Sequence, residues 1–506
     1  MNGVPRTLLI YGACIVLALL TGYFLATPER YISLAFVGMV LFLLSVPLLM
    51  RWHHLLLILS WNSSIVAFFV KGQIGLWVVI AALSVCISFM NRTLTQRPTF
   101  QHVPSIAWTL AFIALVVLGT AKLTGGIGLR ALGSENYGGK KYFFVMAAIL
   151  GYFAFVGQRI PGDKAVRYAT LFFLTSLTSV LSYFIYAAGP SFYILFMIFP
   201  PELLTLQELE WGGPNSAGMV RFGGLATASA SVCSIMLLRY GIRGLLDLAN
   251  PWRLIVYLLF ACLSLLGGFR SILVAVVLTF TVQFYLEGLH RTRLLPILCG
   301  VGIFISALAL PFIEHMPLSV QRTLSFLPIE IHPAARADAA SSTDWRLEMW
   351  KTVWPEVPKY LWVGKGFSIN PTDLYFAEEG IRRGLAKSYE PAMVAGDYHS
   401  GPLSLIVAFG VFGVLAFGLF CLAGLRVLHR HYKHSPPELK NLNTFLLTYF
   451  IVRVVMFITV YGSIATDLFV FTGILGLSVS INGEQPERVP VKVESNAPGP
   501  LAAARA

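Results

Sequence analysis

Apolar runs of membrane-spanning length fill this chain between residues 7 and 482, and one long polar insert, 314–399, interrupts them. A run of about 20 apolar residues crosses the hydrocarbon core as a helix, because a helix satisfies its own backbone polar groups where water is absent. The chain is therefore expected to be an all-α polytopic membrane protein. Composition agrees: 57% of its 506 residues are hydrophobic and 12% charged, against about 25% charged in soluble chains. Candidate spans lie at 7–27, 31–50, 55–70, 73–90, 105–121, 142–158, 168–187, 222–239, 254–269, 271–288, 294–313, 402–424, 444–461 and 466–482, which gives 12–14 transmembrane helices. Four parts follow: an N-terminal helix bundle (1–313), a cap loop (314–401), C-terminal helices (402–482) and a disordered tail (483–506).

The formal charge of +13 does not point to nucleic acid, since Lys and Arg are scattered between spans with no basic face. They fit orientation signals and anionic headgroups of membrane lipids. Arg51, Arg92 and Arg97, Arg159 to Arg167, Arg239 to Arg253, Arg291 and Arg293, and Arg426 to Lys433 mark one set of alternate loops. By the positive-inside rule these face the cytoplasm, as does the tail, and the insert lies outside with loops 122–141 and 188–221. All six cysteines lie in apolar runs, with no CxxC pair, so neither a disulfide framework nor a zinc knuckle is built into the insert.

Within the insert, Asp344 to Trp354 reads as a helix capped by Asp344, with Trp350, Val353 and Trp354 as its apolar stripe. An Ala-Ser-rich linker precedes it. Pro355 and Pro358 end it, Gly364-Lys365-Gly366 makes a turn, and 371–395 is expected to be loosely ordered.

Several residues carry possible chemistry. Arg270 sits between two spans with almost no loop, and Arg221 follows a Gly-rich stretch at the mouth of a span. A guanidinium there either snorkels to the interface or clamps an anion, because arginine grips phosphate with a fork and stays charged. Lys140 and Lys141 end a glycine-rich outer loop at a helix mouth, which suits a second contact to an anion. Arg453, mid-span, is expected to pair with Asp467 and tie the last helices together. His399 stands where the chain re-enters the membrane on the outer side; its neutral imidazole can take a proton, with Asp397 to orient it, or it can simply cap and pack. The motifs DxD, HExxH, GxGxxG and GxxxxGK[ST] are absent. The expectation is metal-independent chemistry, with no cofactor, on a substrate that arrives already activated.

These features resemble the bacterial O-antigen ligase family, which is broadly related to the O-antigen polymerases. The resemblance rests on the large loop before the last spans, Arg346-x3-Trp350, Gly364-Lys365-Gly366, His399-x3-Leu403 followed by Phe409-Gly410-Val411-Phe412-Gly413, the Arg270-Ser271 junction and Gly138-Gly139-Lys140. Ser400 stands where relatives often carry Asn, and Phe269 where a small residue is common. The resemblance implies a GT-C-like membrane glycosyltransferase of the bacterial inner membrane, with its active site and partly helical cap in the periplasm. It would transfer polysaccharide from undecaprenyl pyrophosphate to a sugar hydroxyl of lipid A-core, with inversion. His399 would be catalytic; Arg221, Arg270, Lys140, Lys141 and Arg346 would hold the donor pyrophosphate. An O-antigen polymerase and a protein O-glycosylating ligase use the same donor and remain alternatives, with a lipid or glycan transporter as the reading from another class.

Overall fold

A computed structural model describes residues 6–26, 31–70, 72–95, 101, 103–124, 139–201, 221–367 and 369–483. Residues 125–138 of the glycine-rich loop, including Gly138, and the tail 484–506 lie outside the described residues. Among the described residues the chain is helical, with one isolated bridge between Val66 and Gly75 and no sheet. Eight helices are long and apolar enough to cross a membrane, and four shorter apolar helices accompany them. The chain is an all-α, multi-pass membrane protein.

The element order differs from the expected spans in one place. The segment 31–50 and the first part of 55–70 are joined in one helix, Tyr31–Trp61, with Pro47 inside it, and 63–70 is not helical. Trp61 ends that helix at the centre of the bundle, 1% exposed, stacked on Phe469 at 4.8 Å and edge-on to Phe155 at 4.9 Å. Its neighbours supply glycine for it: a Cβ on Gly151 or Gly473 would lie 2.2 or 2.1 Å from the indole. Small residues at helix crossings let backbones approach where no hydrophobic drive separates helix from lipid. Towards the end where Arg430 and Lys433 lie, polar pairs replace apolar ones. Asn443 and Asn482 exchange amide hydrogen bonds at 2.8 and 2.9 Å, and His431 Nδ1 lies 2.9 Å from Ser478 Oγ.

Two long helices are broken at a glycine, and each break is filled from outside. Gly223–Leu245 breaks at Gly241 (φ 62°), and the Glu287 carboxylate accepts the freed N–H of Ile242 at 2.8 Å. Gly401–Lys433 breaks at Gly410 (φ 62°, ψ −161°), a backbone region that only glycine enters freely. There a strap from the cap, Leu361 to Gly366, takes over the ladder. Lys365 N–H donates to Val407 O, Gly366 N–H to Ala408 O, and Val411 N–H to Leu361 O, at 2.8–2.9 Å. The crossing is close enough that a Cβ on Gly364 would sit 2.1 Å from the Ala408 carbonyl.

The cap is more ordered than its sequence suggests. The cap helix runs from Pro333 to Val353, with His332 accepting from Ala334 N–H at its start. Asp344 is therefore inside a helix and does not cap it. The Ala-Ser stretch has no glycine or proline after Pro333 to break the pattern, and Ala335 and Ala339, one turn apart, are both buried. Its far end packs Met349 and Val353 against Tyr398, Leu403 and Val407, while Trp354 is 69% exposed. The stretch 371–395, expected to be loose, contains helices Pro371–Arg382 and Glu390–Val394; Asn370 caps the first, and Glu379 pairs with Arg382 and Arg383 on it.

Candidate active site at the cap end of the bundle

Two helix starts and a sunken helix of the cap bring four arginines together. Arg221 lies two residues before Gly223–Leu245, and Arg270 opens the helix Arg270–Leu286. Between them the chain turns at Gly267 and Gly268; the latter is left-handed (φ 66°), and a Cβ on the former would meet Ala226 Cβ at 2.5 Å. Leu318–Thr323 is wedged against this turn with Gln321, Arg322 and Thr323 all buried. Gln321 holds the wedge by donating to the carbonyls of Glu314 and Met316 and accepting from His332 N–H. Arg322 bonds the Gly268 carbonyl and the Asp338 carboxylate.

Asp338 lies on the cap helix, and Arg221 Nη2 reaches both of its oxygens at 3.0 Å. Arg270 Nη2 donates to Ala339 O at 3.2 Å and Thr343 Oγ1 at 2.9 Å on the same helix. Arg346, two turns beyond Asp338, is half-buried and donates no hydrogen bond among the described residues. Burial first, and then Arg221 beside it, hold the Arg322 guanidinium below its usual value, with the Asp338 bond opposing. Burial and then Arg322 do the same to Arg346. Arginine stays protonated all the same, so four cations lie close enough to repel one another, and two of them, Arg221 and Arg322, bond the Asp338 carboxylate. An incoming anion relieves that repulsion.

The same cap helix touches the histidine. Trp345 meets the His399 ring edge-on at 5.2 Å between centroids, and Trp350 Nε1 donates to Tyr398 O at 2.8 Å. His399 has φ 46°, a left-handed conformation rare for a side-chain-bearing residue and a common mark of functional turns. Asp397 Oδ1 accepts the His399 N–H at 3.4 Å, and Asp397 Oδ2 lies 3.7 Å from Nε2, in ion-pair range but too far for a hydrogen bond. The ring is 39% exposed, and its Nδ1 has no partner among the described residues. Gly401 permits this turn, since a Cβ there would lie 2.2 Å from Phe457 O. His315, ending the turn Leu310–His315, is a second histidine at this end of the bundle.

The structure therefore brings Arg221, Arg270 and Arg346 into one cluster and sets His399 against the neighbouring turn of the same helix. Among the described residues, Lys141 Nζ donates to Ala395 O at 2.5 Å, and Lys140 lies over the Phe144 ring. Ala395 lies four residues before His399 in the chain. The neighbouring Tyr142 hydroxyl accepts from Phe367 N–H at 2.7 Å, so this helix start clamps the cap. Arg322 and Asp338 complete the cluster and are absent from the residues expected above. Arg453 and Asp467 act on each other's charge without direct contact. Arg453 donates to Tyr449 Oη at 2.8 Å, while Asp467 accepts from Ser463 N–H at 2.8 Å. No three His, Cys, Asp or Glu gather at metal-binding distance among the described residues.

Residues 254–418 match the family model described as O-antigen ligase. The match contains Arg270, Arg322, Asp338, Arg346 and His399 together with the whole cap; Arg221, Lys140 and Lys141 lie before it. No curated protein matches the chain. On this matched segment, which holds Arg270, Arg322, Asp338, Arg346 and His399, the chain is similar to the O-antigen ligase family.

Proposed function

We propose that this protein is an O-antigen ligase: an inverting, metal-independent glycosyltransferase that moves polysaccharide from undecaprenyl pyrophosphate to a sugar hydroxyl of lipid A-core. It would act in the bacterial inner membrane with the cap in the periplasm. The observation that carries this reading is a cluster of four guanidinium groups, two of them bonded to Asp338 on the helix that also touches His399.

Charge makes the cluster a catalyst as well as a binder. The donor pyrophosphate is a diester with two negative charges, and it gains a third as the anomeric C–O bond breaks. A fixed positive cluster therefore stabilises the departing group more than the bound donor, which is the condition for lowering a barrier. The acceptor oxygen attacks the anomeric carbon from the opposite face. Its proton passes to His399, and the bonding pair leaves with the pyrophosphate. Arg221, Arg270, Arg322 and Arg346 hold the phosphates; Asp338 positions two of these arginines; Lys141 anchors the cap end near His399. General-base assistance of this kind contributes about 10²–10⁴-fold.

A deletion strain tests the reading. Free core with accumulated polymer on the lipid carrier supports a ligase. Core bearing a single repeat unit means that a polymerase was lost, and an unchanged glycolipid profile removes the proposal.

A further inference from the structure

Below the arginine cluster lies a cavity of about 510 Å³ inside the bundle. Ile272 to Thr279 form one wall, so the cavity begins ~3 Å below Arg270 along its helix and reaches ~13 Å below it. Thr227, Ser231 and Ser234 line the facing helix, with Asn62 and Tyr461 closing other sides. The remaining wall is apolar and aromatic, including Trp61, Leu237, Val276 and Phe469. Arg453 is the charged residue in this lining.

Arg453 sits six residues before the cap end of its helix, ~9 Å inside the span. One of its nitrogens bonds Tyr449, whose ring also lies 5.1 Å from the guanidinium carbon. Asp467 on the next helix acts on its charge from beyond 4.0 Å, and Trp61 Nε1 in the same lining is buried without a partner among the described residues. A guanidinium at this depth requires a counter-charge or water. Ser231 and Ser234 already donate to the Phe173 and Ala230 carbonyls, so the Thr227 hydroxyl and the remaining Arg453 N–H groups are donors for phosphate oxygens, and the apolar wall fits a chain carried with them.

We propose that this cavity is a second anion site, which seats the phosphate of a membrane lipid against Arg453. The chemistry is shared by a glycerophospholipid headgroup and a polyprenyl phosphate. The site is separate from the cluster that handles the donor, and its occupancy does not depend on the transfer reaction.

Native mass spectrometry of the full-length protein in mild detergent tests this, and the mass of the adduct identifies which lipid phosphate is present. The expected result is one phosphate-bearing lipid per chain, retained in Arg270→Ala and reduced at least tenfold in Arg453→Met. Arg453→Lys should keep part of it, and Thr279→Phe, which fills the cavity without touching the charge, should exclude it. If Arg453→Met fails to insert, Thr279→Phe decides. An adduct absent from wild type would show a cavity holding water alone and overturn the proposal. So would an adduct that persists in Arg453→Met and Thr279→Phe, or one lost only in Arg270→Ala.

Discussion

Removing the Asp338 carboxylate should weaken the free protein and strengthen its grip on pyrophosphate. Arg221 and Arg322 both bond this group, and the three side chains are only 21%, 5% and 17% exposed. Breaking one partner of a buried ion pair costs roughly 3–5 kcal/mol. Asp338→Asn keeps some hydrogen bonding, so a loss near ~3 kcal/mol is expected from the charge-assisted contacts alone. The same change removes the negative charge that competes with a bound anion. At an effective dielectric of about 20 and a separation near 5 Å, one unit charge amounts to ~3 kcal/mol, or roughly a hundredfold in affinity. The assay is the Tm of detergent-solubilised protein with and without inorganic pyrophosphate. Asp338→Asn should melt lower than wild type alone and gain more from pyrophosphate, because ligand that binds the folded state stabilises it in proportion to occupancy. Equal pyrophosphate shifts in the two proteins would refute an anion site here, and an unchanged Tm without ligand would refute the ion-pair argument.

Other perturbations separate the parts of the site. Arg322→Ala and Arg270→Ala should each lose about 1.5–3 kcal/mol of donor binding, with Lys restoring only part because it lacks the fork; titration with lipid-linked donor measures this. His399→Ala should insert normally and lose ~10²–10⁴ in transfer rate with donor affinity retained, while His399→Gln reports whether the ring orients the acceptor or removes its proton. Gly410→Ala should destabilise the cap by about 1–3 kcal/mol, since its φ of 62° and ψ of −161° suit only glycine and a Cβ would meet Leu361 O at 2.7 Å; limited proteolysis at 361–366 would read it. A cysteine at Ser341, exposed on the cap helix, should react with a membrane-impermeant reagent in intact spheroplasts; labelling only after lysis would reverse the orientation.

The membrane architecture was legible because hydrocarbon imposes one solution on a long apolar run. Arg221, Arg270 and His399 were legible too, since charge or imidazole at a span mouth stands out against apolar sequence. Arg322 and Asp338 were not. Each sits among prolines and alanines that read as linker, and their roles depend on a wedge packed against Gly268, 54 residues away from Arg322 in the chain. The one available signal was Ala335 and Ala339 at helical spacing, with Asp338 between them and Arg346 two turns on. The strap at Gly410 was hidden for a similar reason: Gly364-Lys365-Gly366 and Phe409-Gly410 each read as a local motif, and only the fold shows one completing the backbone ladder of the other. Arg453 and Asp467 act on each other's charge as the sequence suggested, but from beyond 4.0 Å, and Tyr449 and Ser463 supply their direct hydrogen bonds.

Reconstituted transfer puts the central claim to the most direct test. Purified protein, undecaprenyl-pyrophosphate-linked polysaccharide and lipid A-core are incubated in EDTA, and both the ligated glycolipid and the released undecaprenyl pyrophosphate are quantified. The account predicts one carrier released per glycan joined to core, with the reaction at subsaturating donor reduced roughly 10–10²-fold in Arg270→Ala and ~10²–10⁴-fold in His399→Ala. Transfer at the wild-type rate in both variants, or transfer that stops in EDTA and returns with added Mg²⁺, would contradict it.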